Sequence, residues 1–325
     1  MIKNNHPWLH YLKFSFSSNG TLYFTEDFQR YLKTFYQWIS FGITVDGSKE
    51  LHDSCRLFPD GSGSYDLAMK ANIHYRDNYA TNLGSKITLF PSNLSYLSKS
   101  FIDFVNKGFY EINANCVFEN VWSLKDATLF YYELKKIADF LLDNDLNDKI
   151  YFSLLDELSC APTDINDDRN WCGGDGSMLA INHSGNLYPC LRYMESSLGN
   201  DIEPIIIGHV NRGIGITNKE KDWIKQLQNM TTTSQSTDEC IDCPIGRVCS
   251  WCSAYNYQYY KKLNKRATFI CDMHKARALA NVYYWNKYYK SINLEKKMRC
   301  FLEKNDILRI IPEEEYNYLL SLIKK

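Results

Sequence analysis

The sequence predicts an α/β protein: parallel βα units in the first half, then a loop-rich, cysteine-rich domain and C-terminal helices. Three observations predict it. Short apolar runs alternate with helical periodicity from residue 10 to about 155. Cys, Gly, Asn and Asp then dominate from Cys160 to Cys271. Helical periodicity returns from Asp272 to Lys325, with many Tyr and Lys.

The elements follow in order. YLKFSFSS (11–18) reads as a strand. TEDFQRYLKTFYQW (25–38) opens on a Thr N-cap and continues as an amphipathic helix. ISFGITVDG (39–47) is a buried strand ending in a Gly turn, and SGSYDLAMKANIHYRDN (62–78) a helix. KITLFPS (86–92) is a strand, and LSYLSKSFIDFVNKG (94–108) a helix closed by Gly108. YEINANCVF (110–118) is a strand, and LKDATLFYYELKKIADFLLDN (124–144) a long helix. These four βα units are too few for a closed eight-stranded barrel. IYFSLLDE (150–157) ends this half. Beyond it, only EKDWIKQLQNM (220–230) keeps strong helical periodicity before Asp272, and TTTSQSTD (231–238) reads as a short polar loop. The expected divisions are 1–157, 158–271 and 272–325.

At 325 residues, with 45% hydrophobic and 23% charged, the chain can bury a real core. A net charge of -1 gives no electrostatic reason to expect nucleic acid or an anionic membrane as partner. The N-terminus lacks a secretory pattern, and no window approaches the roughly 20 apolar residues that span a bilayer. A cytoplasmic location is expected. In a reducing cytosol, clustered cysteines are metal ligands rather than disulfides.

CIDCPIGRVCSWC places Cys240, Cys243, Cys249 and Cys252 in one short run. Cys160, Cys172, Cys190 and Cys271 bring the second domain to eight, enough for two four-thiol sites. A two-residue gap lets one tight turn present both sulfurs to one centre. Such all-sulfur sites suit zinc or iron–sulfur clusters equally. Cys55, Cys116 and Cys300 stand alone and read as small buried hydrophobes. Gly61-Ser62-Gly63 reads as a turn, and the seven His form no ligand pair.

The arrangement Cys172-x12-Gly185-x4-Cys190, then Cys240-x2-Cys243-x5-Cys249, Cys252 and Cys271, resembles the SPASM domain of radical S-adenosylmethionine enzymes. SSNGTL (17–22) and GITVDGSKELHDSCRLFPDGSGSYD (42–66) resemble strand ends of that family's (β/α)6 barrel. With CSWCSAYNY (249–257) and ICDMHKARALANVYYW (270–285), the chain resembles the peptide maturases of cysteine-repeat ribosomal peptides.

The resemblance implies two auxiliary [4Fe-4S] clusters. Cys240, Cys243, Cys249 and Cys271 would hold one; Cys172, Cys190 and Cys252, with an upstream thiol such as Cys160, the other. The last pair departs from the family pattern, since only Ser250 and Trp251 separate Cys249 from Cys252. Ser17, Asn19 and Asp46 would contact S-adenosylmethionine, with Arg56 near cofactor or substrate. Read without the family, Asn19-Gly20 and Asp46-Gly47 are turn residues. Leu191 follows Cys190 where sulfatase-maturing relatives carry an Asp base, which argues against that branch.

The family's Cys-x3-Cys-x2-Cys motif, which holds the cofactor-cleaving third cluster, is absent from the sequence. The resemblance therefore implies a barrel entered at its third strand, with the missing half lost or supplied by another polypeptide. It leaves the first strand with an unpaired edge. The expected partner is a precursor peptide, crosslinked through a cysteine thioether. The expected alternative is a metal-stabilised peptide-binding module without chemistry.

Overall fold

The computed structural model describes residues 14–79, 84–161, 168, 172–174, 177–299 and 301–324. Residues 11–13 of the first expected strand, and Cys300, lie outside the described residues. The chain divides into two units, one of Met1–Cys116, Leu129–Asp156 and Lys287–Leu294, the other of Val117–Thr128, Glu157–Asn286 and Glu295–Lys325.

The first unit carries the βα alternation. It runs β1 (Phe14–Ser18), α1 (Glu26–Phe35), β2 (Ile39–Ile43), α2 (Lys49–Cys55), α3 (Tyr65–Tyr79), β3 (Gly84–Leu89), α4 (Leu97–Asn106) and β4 (Glu111–Cys116). α5 (Leu124–Asp143) and β5 (Tyr151–Phe152) follow. Every strand pair here is parallel: β1 with β2, and β3 with β4 with β5. Parallel pairing follows from the helical crossovers, which return each strand in the same direction. Among the described residues β1 pairs only with β2.

The packing explains the apolar spacing. Ile87, Leu89 and Ile112 on the strands, with Leu97, Phe101 and Phe104 on α4, are 0% exposed. Glu133 on α5 is also buried, and its carboxylate accepts the Ser98 N–H at the start of α4 (2.9 Å). An anion there satisfies an otherwise unbonded first-turn donor and meets the positive end of the helix. α4 ends as its glycine predicts. Gly108 lies at φ +79°, its N–H donates to Val105 O (2.9 Å), and the Phe109 N–H donates to Phe104 O (3.0 Å). This is a left-handed cap, sealed by Phe104 against Phe109 at 5.3 Å between ring centres.

Some local expectations change. Thr25 sits at the start of α1 with extended backbone, but its hydroxyl donates back to Leu22 O (2.8 Å) and caps nothing. α2 occupies a stretch between the expected strand (39–47) and the expected helix (62–78) to which the sequence assigned no element. Cys55, expected to be a buried hydrophobe, is exposed at the end of α2, where its thiol faces Leu51 O and His52 O. A last-turn thiol can satisfy itself on the helix's own carbonyls and needs no core. Cys116 is buried on β4, as expected.

The second unit has an antiparallel sheet in the order β6 (Ala180–Ile181), β7 (Asn186–Tyr188), β8 (Gly208–His209), β9 (Gly213–Ile214). Its helices are α6 (Asn218–Gln228), α7 (Thr232–Gln235), α8 (Asp238–Ile241), α9 (Ser253–Tyr260), α10 (Cys271–Ser291), α11 (Lys304–Ile310) and α12 (Glu313–Lys324). The stretch 231–238, expected as a loop, is mostly helical. Thr231 and Thr237 each accept the backbone N–H three residues on, capping α7 and α8. α9 is buried on most sides, so SAYNYQYY shows no amphipathic period to read. Leu187, Tyr193, Ile205, Ile207, Trp251 and Tyr257 belong to the core of this unit, and Cys190 and Cys252 pack against it. No helix among the described residues is long and apolar enough to cross a membrane.

Candidate metal centres and strand-end site

Two groups of candidate residues stand in the two units. In the first unit, Ser17 and Asn19 lie at the C-terminal end of β1, and Asp46 lies just beyond β2. The parallel register, Ser17 opposite Gly42, puts them at the same end of the two strands. That end is where ligands sit in βα folds. Asn19 is committed locally, because its Oδ1 accepts the Thr21 N–H (3.1 Å) and hydroxyl (2.8 Å). Asp46 is committed as well, since its carboxylate pairs with the Arg56 guanidinium.

A buried hydrogen-bonded chain, not legible in the sequence, underlies that pair. The Asp46 N–H donates to His52 Nδ1 (3.2 Å), so Nε2 carries the proton and donates to Ser64 Oγ (3.0 Å). The Ser64 hydroxyl donates to Arg56 O (2.9 Å). His52 is 1% exposed, and burial holds its imidazole below the ordinary 6.5, opposed by the Asp46 carboxylate. The unfolded chain takes up this proton near 6.5, whereas the folded chain resists it. Stability from His52 is therefore full above that value and lost as pH falls below it. His52→Gln should lower stability at neutral pH and flatten its decline between about pH 7.5 and 5.5. Urea midpoints across that window check this, and an unchanged slope would assign the pH dependence elsewhere.

In the second unit, the fold gathers distant cysteines. The β6–β7 hairpin turns at Gly185, φ +86°, where an added Cβ would stand 2.7 Å from Val210 Cγ2. Asn182 Oδ1 accepts the N–H groups of Ser184 and Asn186 (3.0 Å each) and fixes the turn. Only glycine suits that backbone, which explains its place before Cys190. Cys190 follows β7 in extended conformation. Three residues later, the Tyr193 hydroxyl donates to Ser253 Oγ (2.8 Å) and ties this segment to the start of α9. Cys252 caps α9, its sulfur accepting the Tyr255 N–H (3.4 Å). The backbone at Gly174 lies beside both Cys172 and Ser253.

The other cysteines sit on short turns and helix ends. Cys240 lies in α8 and Cys243 in the turn after it, closed by the Gly246 N–H on Cys243 O (2.9 Å). Cys249 follows the next helical turn. Cys271 opens the 21-residue α10.

Electrostatics sorts the thiols into two sets. Cys190 feels burial first and then the charges of Cys252 and Cys172. Cys252 feels burial, Arg192 and Cys172. Burial pushes the Cys271 thiol up to about 12, with Cys249 and Cys240 adding to it. Cys243 is raised by burial and by Cys249 and Cys240. One set is Cys172, Cys190 and Cys252; the other is Cys240, Cys243, Cys249 and Cys271. The described contact of Cys160 is with Ala278 O in α10, 3.8 Å from its sulfur. Next to it, Ala161 O accepts the Arg247 N–H (3.0 Å), beside the Cys249 turn. Among the described residues no three His, Cys, Asp or Glu side chains close around a position for a single metal ion. By donor chemistry, sets of three or four thiols, partly buried except for the exposed Cys172, fit an iron–sulfur cluster or a soft metal ion.

No family model matches the chain, and no curated protein does. Solved structures do. The chain is similar to anSMEcpe, a radical SAM/SPASM anaerobic sulfatase-maturating enzyme. Native anSMEcpe with bound AdoMet superposes at a TM-score of 0.59 and 20% identity, covering 86% of this chain and 73% of that one. Native anSMEcpe with AdoMet and Cp18Cys peptide gives 0.57 at 19%, covering 86% and 75%. The His6-tagged form with AdoMet gives 0.58 at 18%, covering 93% and 75%. The chain has the α/β fold of radical S-adenosylmethionine enzymes that carry a SPASM domain.

Proposed function

We propose that this chain is the auxiliary-cluster part of a radical S-adenosylmethionine peptide maturase, and that its two thiol sets hold two [4Fe-4S] clusters. The observation that carries the reading is that the fold gathers widely spaced cysteines: Gly174 sets Cys172 beside the start of α9 at Cys252, the Tyr193–Ser253 bond ties the Cys190 segment there, and Cys240, Cys243 and Cys249 stand on consecutive short turns. The peptide-bound form of the similar structure supports a peptide substrate. We assign residues 1–157 to the barrel part, 158–271 to the cluster domain and 272–325 to the C-terminal helices. Ser17, Asn19, Asp46 and Arg56 are the proposed contacts to S-adenosylmethionine. Cys160 is the proposed fourth ligand beside Cys172, Cys190 and Cys252.

The reaction proposed is thioether formation from a cysteine of a ribosomal precursor peptide in the cytoplasm. When bound, the clusters would accept or pass single electrons. The chain's own contribution is to bind the peptide and hold the ligand sulfurs out of water. Because Cys-x3-Cys-x2-Cys is absent from the sequence, cofactor cleavage would need thiols from elsewhere. That same absence favours the second reading, a peptide-binding module stabilised by metal and doing no chemistry.

Iron content decides between the metal chemistries. Anaerobically purified protein should be brown and carry roughly eight irons per chain. A colourless protein with about two zinc ions would overturn the cluster assignment.

A further inference from the structure

Arg266 is 6% exposed. Its Nη1 donates to Ser236 Oγ (3.0 Å), and its Nη2 donates to Cys249 O (2.7 Å) and Cys249 Sγ (3.0 Å). Its backbone N–H donates to Gln235 O (3.0 Å). Among the described residues it pairs with no carboxylate. A guanidinium stays charged, and charges are rarely buried without a partner of opposite sign. Of the acceptors of its guanidinium, only the Cys249 sulfur can bear negative charge.

The cations near the other sulfurs differ. Arg192 stands near Cys252 and Cys190, but its Nη2 pairs with Glu119 (2.9 Å) and its plane covers the Tyr255 ring. Lys275 acts on Cys243 and Cys271, yet pairs with Asp306 (2.8 Å). Both charges are already balanced. The Cys240/Cys243/Cys249/Cys271 set thus has a buried cation that only the site itself can neutralise.

We propose that Arg266 is the counter-charge of the Cys240/Cys243/Cys249/Cys271 site and makes it the more easily reduced of the two. The proposal rests on the iron–sulfur reading above. One-electron reduction adds one negative charge to a site and forms or breaks no bond. A water-shielded guanidinium donating to a ligand sulfur favours the reduced state, because hydrogen bonds to sulfur and nearby charge set such potentials. Arg266 therefore acts as a positioning and tuning residue through Cys249.

The test is a potentiometric titration of the full chain with a low-potential reductant such as dithionite, followed by EPR. Wild type should show two one-electron steps. Cys190→Ala, which keeps the Arg266 site, should retain the upper one. Arg266→Gln should shift that upper step down by about tenfold in equilibrium, which is about 59 mV for one electron. The lower step should stay in place. Arg266→Lys, keeping the charge without the fork, should recover most of the shift. An upper step unmoved in Arg266→Gln, or movement of the lower step instead, would overturn the proposal. Loss of iron from Arg266→Gln but not from Arg266→Lys would support the counter-charge role, and equal loss from both would refute it. If the protein holds zinc, the cluster reading fails separately. Arg266→Gln should then release one zinc to a chelator about tenfold faster, and unchanged release refutes the counter-charge.

Discussion

Cys271→Ala should remove about half of the bound iron, roughly four atoms per chain, and leave the second unit much less stable. The argument begins with burial. The thiol is pushed up to about 12 by its surroundings and by Cys249 and Cys240. Such a cluster of buried sulfurs gains nothing by itself, and its stabilisation comes from metal, whose binding free energy becomes folding free energy. The short strands β6–β9 supply little else, since each is two or three residues long. Cys271 also begins α10, so losing its ligand bond frees the start of the longest helix among the described residues. Iron assay with circular dichroism melting reads the effect. Cys190→Ala should remove the other half, and Cys116→Ala, on β4, should remove none. Loss of all iron from Cys271→Ala alone would show that the two sets are not separate sites.

The sequence carried the broad plan because each βα unit pairs one apolar run with one amphipathic period. Boundaries were less legible. IYFSLLDE (150–157), read only as the end of the first half, holds the two-residue β5, Tyr151–Phe152, because the following apolar residues bury themselves in a turn, Leu155 N–H on Phe152 O (3.0 Å). α2 went unread since KELHDSC has one buried apolar residue and a His whose partners lie outside the helix, six and twelve residues away. α9 went unread for the opposite reason, burial around most of its surface. Cys55 misled because free cysteines are usually buried, whereas this one bonds its own helix.

The site was legible in part. Cysteine spacing pointed to a SPASM fold, and the structural likeness agrees. Spacing could not disclose what lies around the sulfurs. Arg266 is 17 residues from Cys249 in sequence, and the fold alone brings them together. The same holds at the strand ends, where Asp46 and Arg56 look like separate turn residues until α2 folds one onto the other.

Phe101→Ala should cost about 3–5 kcal/mol and be the most damaging single truncation in the first unit. Phe101 is 0% exposed on α4. Its ring meets Phe152 of β5 at 4.8 Å and Phe140 of α5 at 6.3 Å between centres, the latter edge-on. Removing it leaves a cavity between a helix, a neighbouring helix and the end strand. The lining cannot collapse easily: α4 is pinned at its start by Glu133 on the Ser98 N–H and at its end by the Gly108 cap. A pinned helix keeps the void open, which places the cost toward the upper end of the range. β5 is the most exposed to loss, since it pairs over only two residues and relies on Phe152 for its inward contact. Denaturant unfolding of the iron-loaded protein measures the loss, with Phe24→Ala, half-exposed, as the control expected to cost far less. Equal losses for the two would mean that the ring contacts of Phe101 do not hold α4 against β5. Iron content should survive Phe101→Ala at temperatures where the first unit stays folded, because none of the candidate ligands lies in that unit.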